Sequence, residues 1–288
     1  MSKKLLEPGL PRGFEDSFGK SLLIEKKIKE IIENNFLKYG YTEIKTSPFE
    51  YTENIGGLLT DDLNNFSKDI FTFDDKDKKI SLRFDLSAPL ARVVSEKYLE
   101  FAFPFRRFQI AEVFRNETSK TGRGRYRSFF QGDFDQIFLG KVPPQANSEI
   151  LQIICDTMLD LKFKKDQFKI NIFNRKIIDG FLNDLEIKDE NQKFKVLRAI
   201  DKFDRIDENF IDLLQKERVD PVSGDKIAGA NLSNDQATAV VDFLKLKDLK
   251  DLKLECKNEL QKEGIMELEE ILEILNENKY LDQVQVDP

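Results

Sequence analysis

The chain has 288 residues, 40% of them hydrophobic and 34% charged, with a formal net charge of -7, enough apolar content for one large domain or two smaller ones. It contains no histidine, which excludes Ser-His-Asp and Cys-His nucleophilic sites and any histidine general base, so its chemistry must rest on arginine, lysine, carboxylates or a bound ion. Its two cysteines, Cys155 and Cys256, form no CxxC and have no histidine to complete a zinc site, and no run approaches the roughly 18 apolar residues of a membrane span.

The N-terminal MSKKLLEPGL lacks the apolar centre of a secretory signal, so a cytoplasmic protein with no membrane association is expected. From Lys20 to Tyr39, Leu23, Ile24, Ile28, Ile31, Ile32 and Phe36 keep helical spacing, and Gly40 supplies a C-terminal stop. YTEIKTSPFEY then alternates like a strand, and Pro48 inside it marks an edge or an interface. Residues 70 to 75 and 79 to 84 read as two short strands around a charged turn, and Ser87 to Leu99 reads as a helix entered through Pro89.

Phe105 to Arg115 and Tyr126 to Phe134 alternate and are expected to pair as an antiparallel hairpin. Residues 106 to 127 hold seven basic residues against two acidic ones in an otherwise acidic chain, a local positive field suited to a small anion or one nucleic-acid contact. A period of two puts Arg125, Arg127, Phe129, Gln131, Asp133 and Asp135 on one face of the second strand, and Tyr126, Ser128, Phe130, Gly132 and Phe134 on the other. Arginine forks suit phosphate oxygens, an aromatic ring stacks a base, and Gln or Asp holds an amine, so this row fits a nucleotide at one end and an amino group at the other. The plainer reading is an exposed, solvated strand face.

Beyond it, Ser148 to Lys162 reads as a helix, FKINIFNRKIIDGFL as a strand followed by a helix, and residues 186 to 280 as Lys-, Asp-, Glu- and Leu-rich helices, acidic on balance.

Phe114-Arg115-Asn116-Glu117 with the returning GRYRSFFQGDFD resembles motif 2 of the class II aminoacyl-tRNA synthetases, and in particular the histidyl-tRNA synthetases. PRGFEDSFG, the Lys20–Tyr39 helix with GYTEIKTSPFE, and LRFDLSAPLARVV match the same family in the same order. The resemblance implies an α+β fold of the class II type: an antiparallel sheet flanked by helices, with a helical insertion. It divides the chain into a catalytic core over 1–185, the insertion over 186–280 and a return to the core over 281–288. The activity implied is histidine–tRNA ligation, with ATP and Mg2+ as cofactors, histidine and tRNA(His) as partners, and a homodimer formed through the first helix and the Pro48 strand.

Residue by residue, the family roles fall as follows. Asp85 and Ser87 line the histidine pocket, with Asp85, Gln131 and Asp135 sharing the substrate ammonium. Arg115 contacts the α-phosphate, Arg125 the γ-phosphate, Glu117 the adenine amino group and Phe129 the adenine face; Arg115 and Gln131 carry the catalytic assignment. Asp85 could instead serve the start of the following helix. Arg83 and Arg92 are expected in structural ion pairs, while Arg106 and Arg107 either touch tRNA or balance nearby acids. Asn174 and Arg175 match a family position without an assigned role. After Pro288 the family continues into Arg-Gly-Leu-x-Tyr-Tyr, a glycine-rich motif 3 and an anticodon-binding domain, so the chain reads as a truncated form. The alternative reading is a non-catalytic paralogue resembling the regulatory subunit of ATP phosphoribosyltransferase.

Overall fold

The computed structural model describes residues 8–59, 70–116, 126–201, 203, 210–219, 226–227, 229–246 and 248–287. The chain divides into two compact units, Met1–Val142 and Pro143–Pro288.

In the first unit, helix α1 (Lys20–Lys38) ends as its sequence predicts. Gly40 takes φ 77°, the Gly40 N–H donates to Leu37 O at 3.0 Å and the Tyr41 N–H to Phe36 O at 3.1 Å, which satisfies carbonyls that the helix end would leave open. The reversal drops the chain into β1 (Thr42–Glu43). The alternating segment expected as one strand is two: β1 and β2 (Phe49–Tyr51) lie in different sheets with Pro48 between them. Pro48 has no N–H to continue a ladder, and its carbonyl instead accepts from the Arg83 N–H at 2.9 Å.

After α2 (Thr52–Leu59), β3 (Thr72–Asp75) and β4 (Lys78–Leu82) form the expected hairpin, with Lys76 at φ 54° in its two-residue turn. This sheet runs β2-β4-β3. Helix α3 (Ser87–Lys97) follows, then a single 3₁₀ turn at Tyr98–Glu100.

The second sheet is ordered β1-β5-β6, with β5 (Phe105–Phe114) parallel to β1 and antiparallel to β6 (Ser128–Ile137) over ten residue pairs. One face packs its aromatic rings near α1: Phe36 lies 5.2 Å from Phe108 and 4.7 Å from Phe134, centroid to centroid. The other face carries Arg107, Gln109, Gln131, Asp133 and Asp135.

In the second unit, α4 (Pro144–Asp160) starts four residues earlier than expected, because a proline in the first turn gives up an N–H that has no helical partner there. β7 (Ile170–Ile172) pairs in parallel with the terminal β10 (Val284–Val286). The segment 186–280 is mainly helical as expected: α6 (Glu190–Ile200), α7 (Phe210–Gln215), α8 (Asn234–Leu244), α9 (Leu249–Leu254) and α10 (Glu259–Glu277), with a small hairpin of β8 (Arg218–Val219) and β9 (Lys226–Ile227). Capping boxes at Ser233 and Asn258 start α8 and α10. Leu182, Val196, Leu213, Val240 and Leu268 are among the residues of its core.

Helix α10 crosses α5 (Arg175–Asp184) at two glycines, Gly180 and Gly264, where a Cβ would fall 2.6 Å from Gln261 Cγ and 2.7 Å from Ile177 Cγ1 respectively. Both cysteines are free, and burial pushes the Cys155 thiol up to about 11. Among the described residues no helix is long and apolar enough to cross a membrane.

Candidate active site

Residues directly opposite in an antiparallel pair share a face. The register therefore assembles the site: Arg107 lies opposite Asp135, Gln109 opposite Asp133, Ala111 opposite Gln131 and Val113 opposite Phe129. The row read from β6 is thus doubled by a row from β5.

Arg107 is fully buried and ion-paired with Asp135. Burial lowers the Arg107 guanidinium and raises the Asp135 carboxyl, each acting against the pairing between them. Asp133 and Asp85 add their negative charge to both. Three carboxylates thus face one guanidinium, an excess of negative charge that favours a cationic ligand. The Gln131 amide donates through Nε2 to Asp133 Oδ1 at 2.8 Å, which leaves its buried Oε1 without a partner. Thr46 donates to Gln109 Oε1 at 3.0 Å, and the buried Gln109 Nε2 is likewise left without a partner.

Asp85 plays the helix-start part that its position allowed: its Oδ1 accepts from the Ala88 N–H at 3.1 Å in the first turn of α3. Ser87, exposed, opens the same helix. That contact fixes the Asp85 carboxylate beside the Arg107–Asp135 pair, so capping and ligand binding are compatible.

At the other end of the face, the Arg115 guanidinium lies between two rings, 4.5 Å from the Phe84 centroid and 5.0 Å from that of Phe129. Phe129 thus offers the flat surface assigned to adenine, and its neighbour is the arginine assigned to the α-phosphate. Glu117 and Arg125 lie outside the described residues.

One expectation about an arginine is corrected. Among the described residues Arg83 makes no carboxylate bridge: its Nε donates to Glu112 O at 2.7 Å and Nη1 to Thr46 O at 3.3 Å, and burial lowers its guanidinium. Carbonyls left open by the Pro48 break and the strand edge are its partners. Of the two roles open to Arg107 it takes one, balancing acids: it is buried and paired with Asp135, whereas Arg106 donates to Tyr39 O at 3.1 Å. Arg92 behaves as expected, with Nε and Nη2 gripping Glu50 at 2.7 and 2.9 Å.

Arg107, Gln109, Thr46 and Phe84 were missed as parts of the site. Alternation along β5 placed Arg107 and Gln109 on one face, but only the cross-strand register shows which face that is.

A sheet whose polar hairpin face meets a helix start bearing Asp85, with a stacked arginine at its far end, defines the class II synthetase type of fold. The family model for histidyl-tRNA synthetase matches residues 13–287. A histidine–tRNA ligase from Pelagibacter ubique is 50% identical over 284 residues, covering 97% of this chain and 60% of that protein. One from Bradyrhizobium diazoefficiens is 36% identical over 98% of this chain and 58% of its own length. Two solved structures share the fold: histidyl-tRNA synthetase from Nostoc sp. PCC 7120 (TM-score 0.74, 22% identity, 97% of this chain and 60% of that one) and an ATP phosphoribosyltransferase regulatory subunit/histidyl-tRNA synthetase from Bacillus halodurans (TM-score 0.76, 19% identity, 99% and 69%). The chain belongs to the histidyl-tRNA synthetase family. It spans about 60% of the length of the curated relatives it matches.

Proposed function

We propose that the chain serves ATP-dependent activation of histidine to histidyl-adenylate and transfer of the histidyl group to tRNA(His). The observation that carries this reading is the single sheet face on which an acid-rich pocket and a ring-stacked arginine stand at opposite ends. Asp85, Gln131 and Asp135 hold the ammonium, with Ser87 at the pocket's helix start. The histidine carboxylate oxygen then attacks the α-phosphorus of ATP, a P–O bond forms, and the bond to pyrophosphate breaks. Arg115 meets the negative charge that grows on the α-phosphate oxygens; Phe129 supports adenine, and Arg125 and Glu117 are assigned to the γ-phosphate and the adenine amine. No proton needs to move in this step, which suits a chain without histidine. In the second step the tRNA ribose hydroxyl attacks the acyl carbon, its proton passes to the phosphate of the departing adenylate, and AMP leaves.

Magnesium would arrive on the ATP phosphates. Among the described residues no group of three His, Cys, Asp or Glu is placed to hold a metal ion. A homodimer is part of the same proposal: Ile24 and Ile28 of α1 and Phe130 of β6 are exposed along a groove between helix and sheet, an apolar surface suited to a second copy. The cytoplasm is the compartment this reading implies.

Histidine-dependent exchange of labelled pyrophosphate into ATP tests the proposal. Arg115→Ala is expected to lower the exchange rate by about 10²–10³-fold, the scale of losing one donor at developing charge. Histidine binding without any exchange in the wild-type full protein would sink the ligase reading and favour the regulatory one.

A further inference from the structure

The pocket contains more unsatisfied polar groups than a resting sheet face should carry. In a folded protein nearly all buried polar side-chain atoms have partners, so each exception calls for a reason. Here Arg107 Nε, Nη1 and Nη2, Gln109 Nε2, Gln131 Oε1 and Asp135 Oδ2 are all buried without a hydrogen bond, and all four residues lie on one face in adjacent register positions. Arg107 and Asp135 are in ionic contact, but the angles between them are not those of a hydrogen bond.

We infer that Arg107 is a positioning residue of the amino-acid pocket, holding Asp135 charged and turned toward the ligand's ammonium. This rests on the function proposed above and adds to it a group from β5 that never meets the substrate. Without the guanidinium, Asp85, Asp133 and Asp135 would face one another uncompensated. Carboxylates so placed repel, and the cheapest relief is for one of them to take up a proton or turn away. With it, the cluster keeps a net negative charge that only a cationic ligand completes. Asp135 turns its buried Oδ2 to Arg107, and the rest of its carboxylate, on a side chain 35% exposed, is left to accept from that ligand while Arg107 stays behind it. Arginine suits the place because its guanidinium stays charged when buried, where lysine readily gives up its proton.

The test is equilibrium dialysis of labelled histidine, and separately of ATP, against the 288-residue chain as wild type, Arg107→Gln, Asp135→Asn and the double variant. Arg107→Gln is expected to weaken histidine binding about tenfold or more and ATP binding less than about twofold, a coupling of the size seen for residues in contact. In the double variant the loss should be no greater than in Asp135→Asn alone, because Arg107 acts through Asp135. Arg107→Lys should recover part of the affinity, and it carries the test if Arg107→Gln does not fold.

Histidine binding unchanged in Arg107→Gln, equal losses of histidine and ATP, or losses that multiply in the double variant would each overturn the inference while leaving the ligase reading intact. A wild-type chain that binds ATP but no histidine would overturn both.

Discussion

Two glycine-to-alanine substitutions should move stability in opposite directions, and the structure supplies the sign of each. At Gly264 in α10, a methyl group would sit 2.7 Å from Ile177 Cγ1, 3.1 Å from Lys176 Cβ and 3.2 Å from Asn174 Oδ1. Ile177 is 1% exposed and cannot withdraw. Alanine gains about 1 kcal/mol over glycine inside a helix, while forcing an extra methyl into a filled core costs about 1–3 kcal/mol. Gly264→Ala should therefore destabilise by about 1 kcal/mol. At Gly132 in β6, the new methyl would meet Ile110 Cγ1 at 3.7 Å and Ile32 Cγ2 at 3.9 Å, ordinary contact distances on the face away from the pocket. There the gain from replacing a strand-interior glycine, about 0.5–1 kcal/mol, is not offset. Urea unfolding followed by far-ultraviolet circular dichroism measures both, and about 1 kcal/mol corresponds to roughly 2–4 °C in Tm for a chain somewhat shorter than this one. A stabilised Gly264→Ala would mean that α5 and α10 do not approach as closely as described.

Asp133→Asn replaces a carboxylate that can only accept from Gln131 by an amide that can offer either end, so histidine affinity should fall several-fold with ATP affinity kept, read by the same dialysis, and an unchanged affinity would show that Asp133 does not set the amide. Because burial raises the Asp135 carboxyl, and the ammonium needs its charged form, histidine affinity should be full above the raised value and fall as pH drops through it, starting at higher pH than a free aspartate would give. The stability contribution of the same group runs the other way: the folded chain holds this proton more tightly than the unfolded one, so its stabilising effect is present at acid pH and is lost as pH rises from the unfolded to the folded value. Affinity and unfolding free energy measured from pH 3 to pH 8 should show these opposed trends in wild type, with the affinity trend absent in Asp135→Asn. Cys155, buried and with its thiol pushed up to about 11, should resist a thiol reagent at neutral pH until the chain unfolds; rapid modification of two thiols in the folded chain would contradict that burial.

Much of this architecture was legible before any coordinates, and the reason is periodicity. Helix α1, its glycine stop and the β5–β6 hairpin each rest on a local repeat that packing then reinforces. The split at Pro48 was half visible: proline announced a break, but not that the two halves would serve different sheets. Arg107 was invisible as a buried residue because a charged side chain in a strand reads as solvated until its partner across the ladder is known. That partner, Asp135, is 28 positions away in sequence. Arg83 was misjudged for a related reason: its acceptors are backbone carbonyls, which no side-chain pattern reveals.

Strand β5 serves two masters at once, with Phe108 turned to the apolar layer beside α1 and Arg107 and Gln109 on either side of it turned to the pocket. Alternation makes this economical and also brittle. Substitutions along β5 or β6 can be absorbed one at a time, but a single inserted or deleted residue would reverse every side chain beyond it, sending Arg107 into the aromatic layer and Phe108 into the acid cluster. Within this family, changes in length should therefore collect in the connections between strands, while the strands themselves drift only in composition.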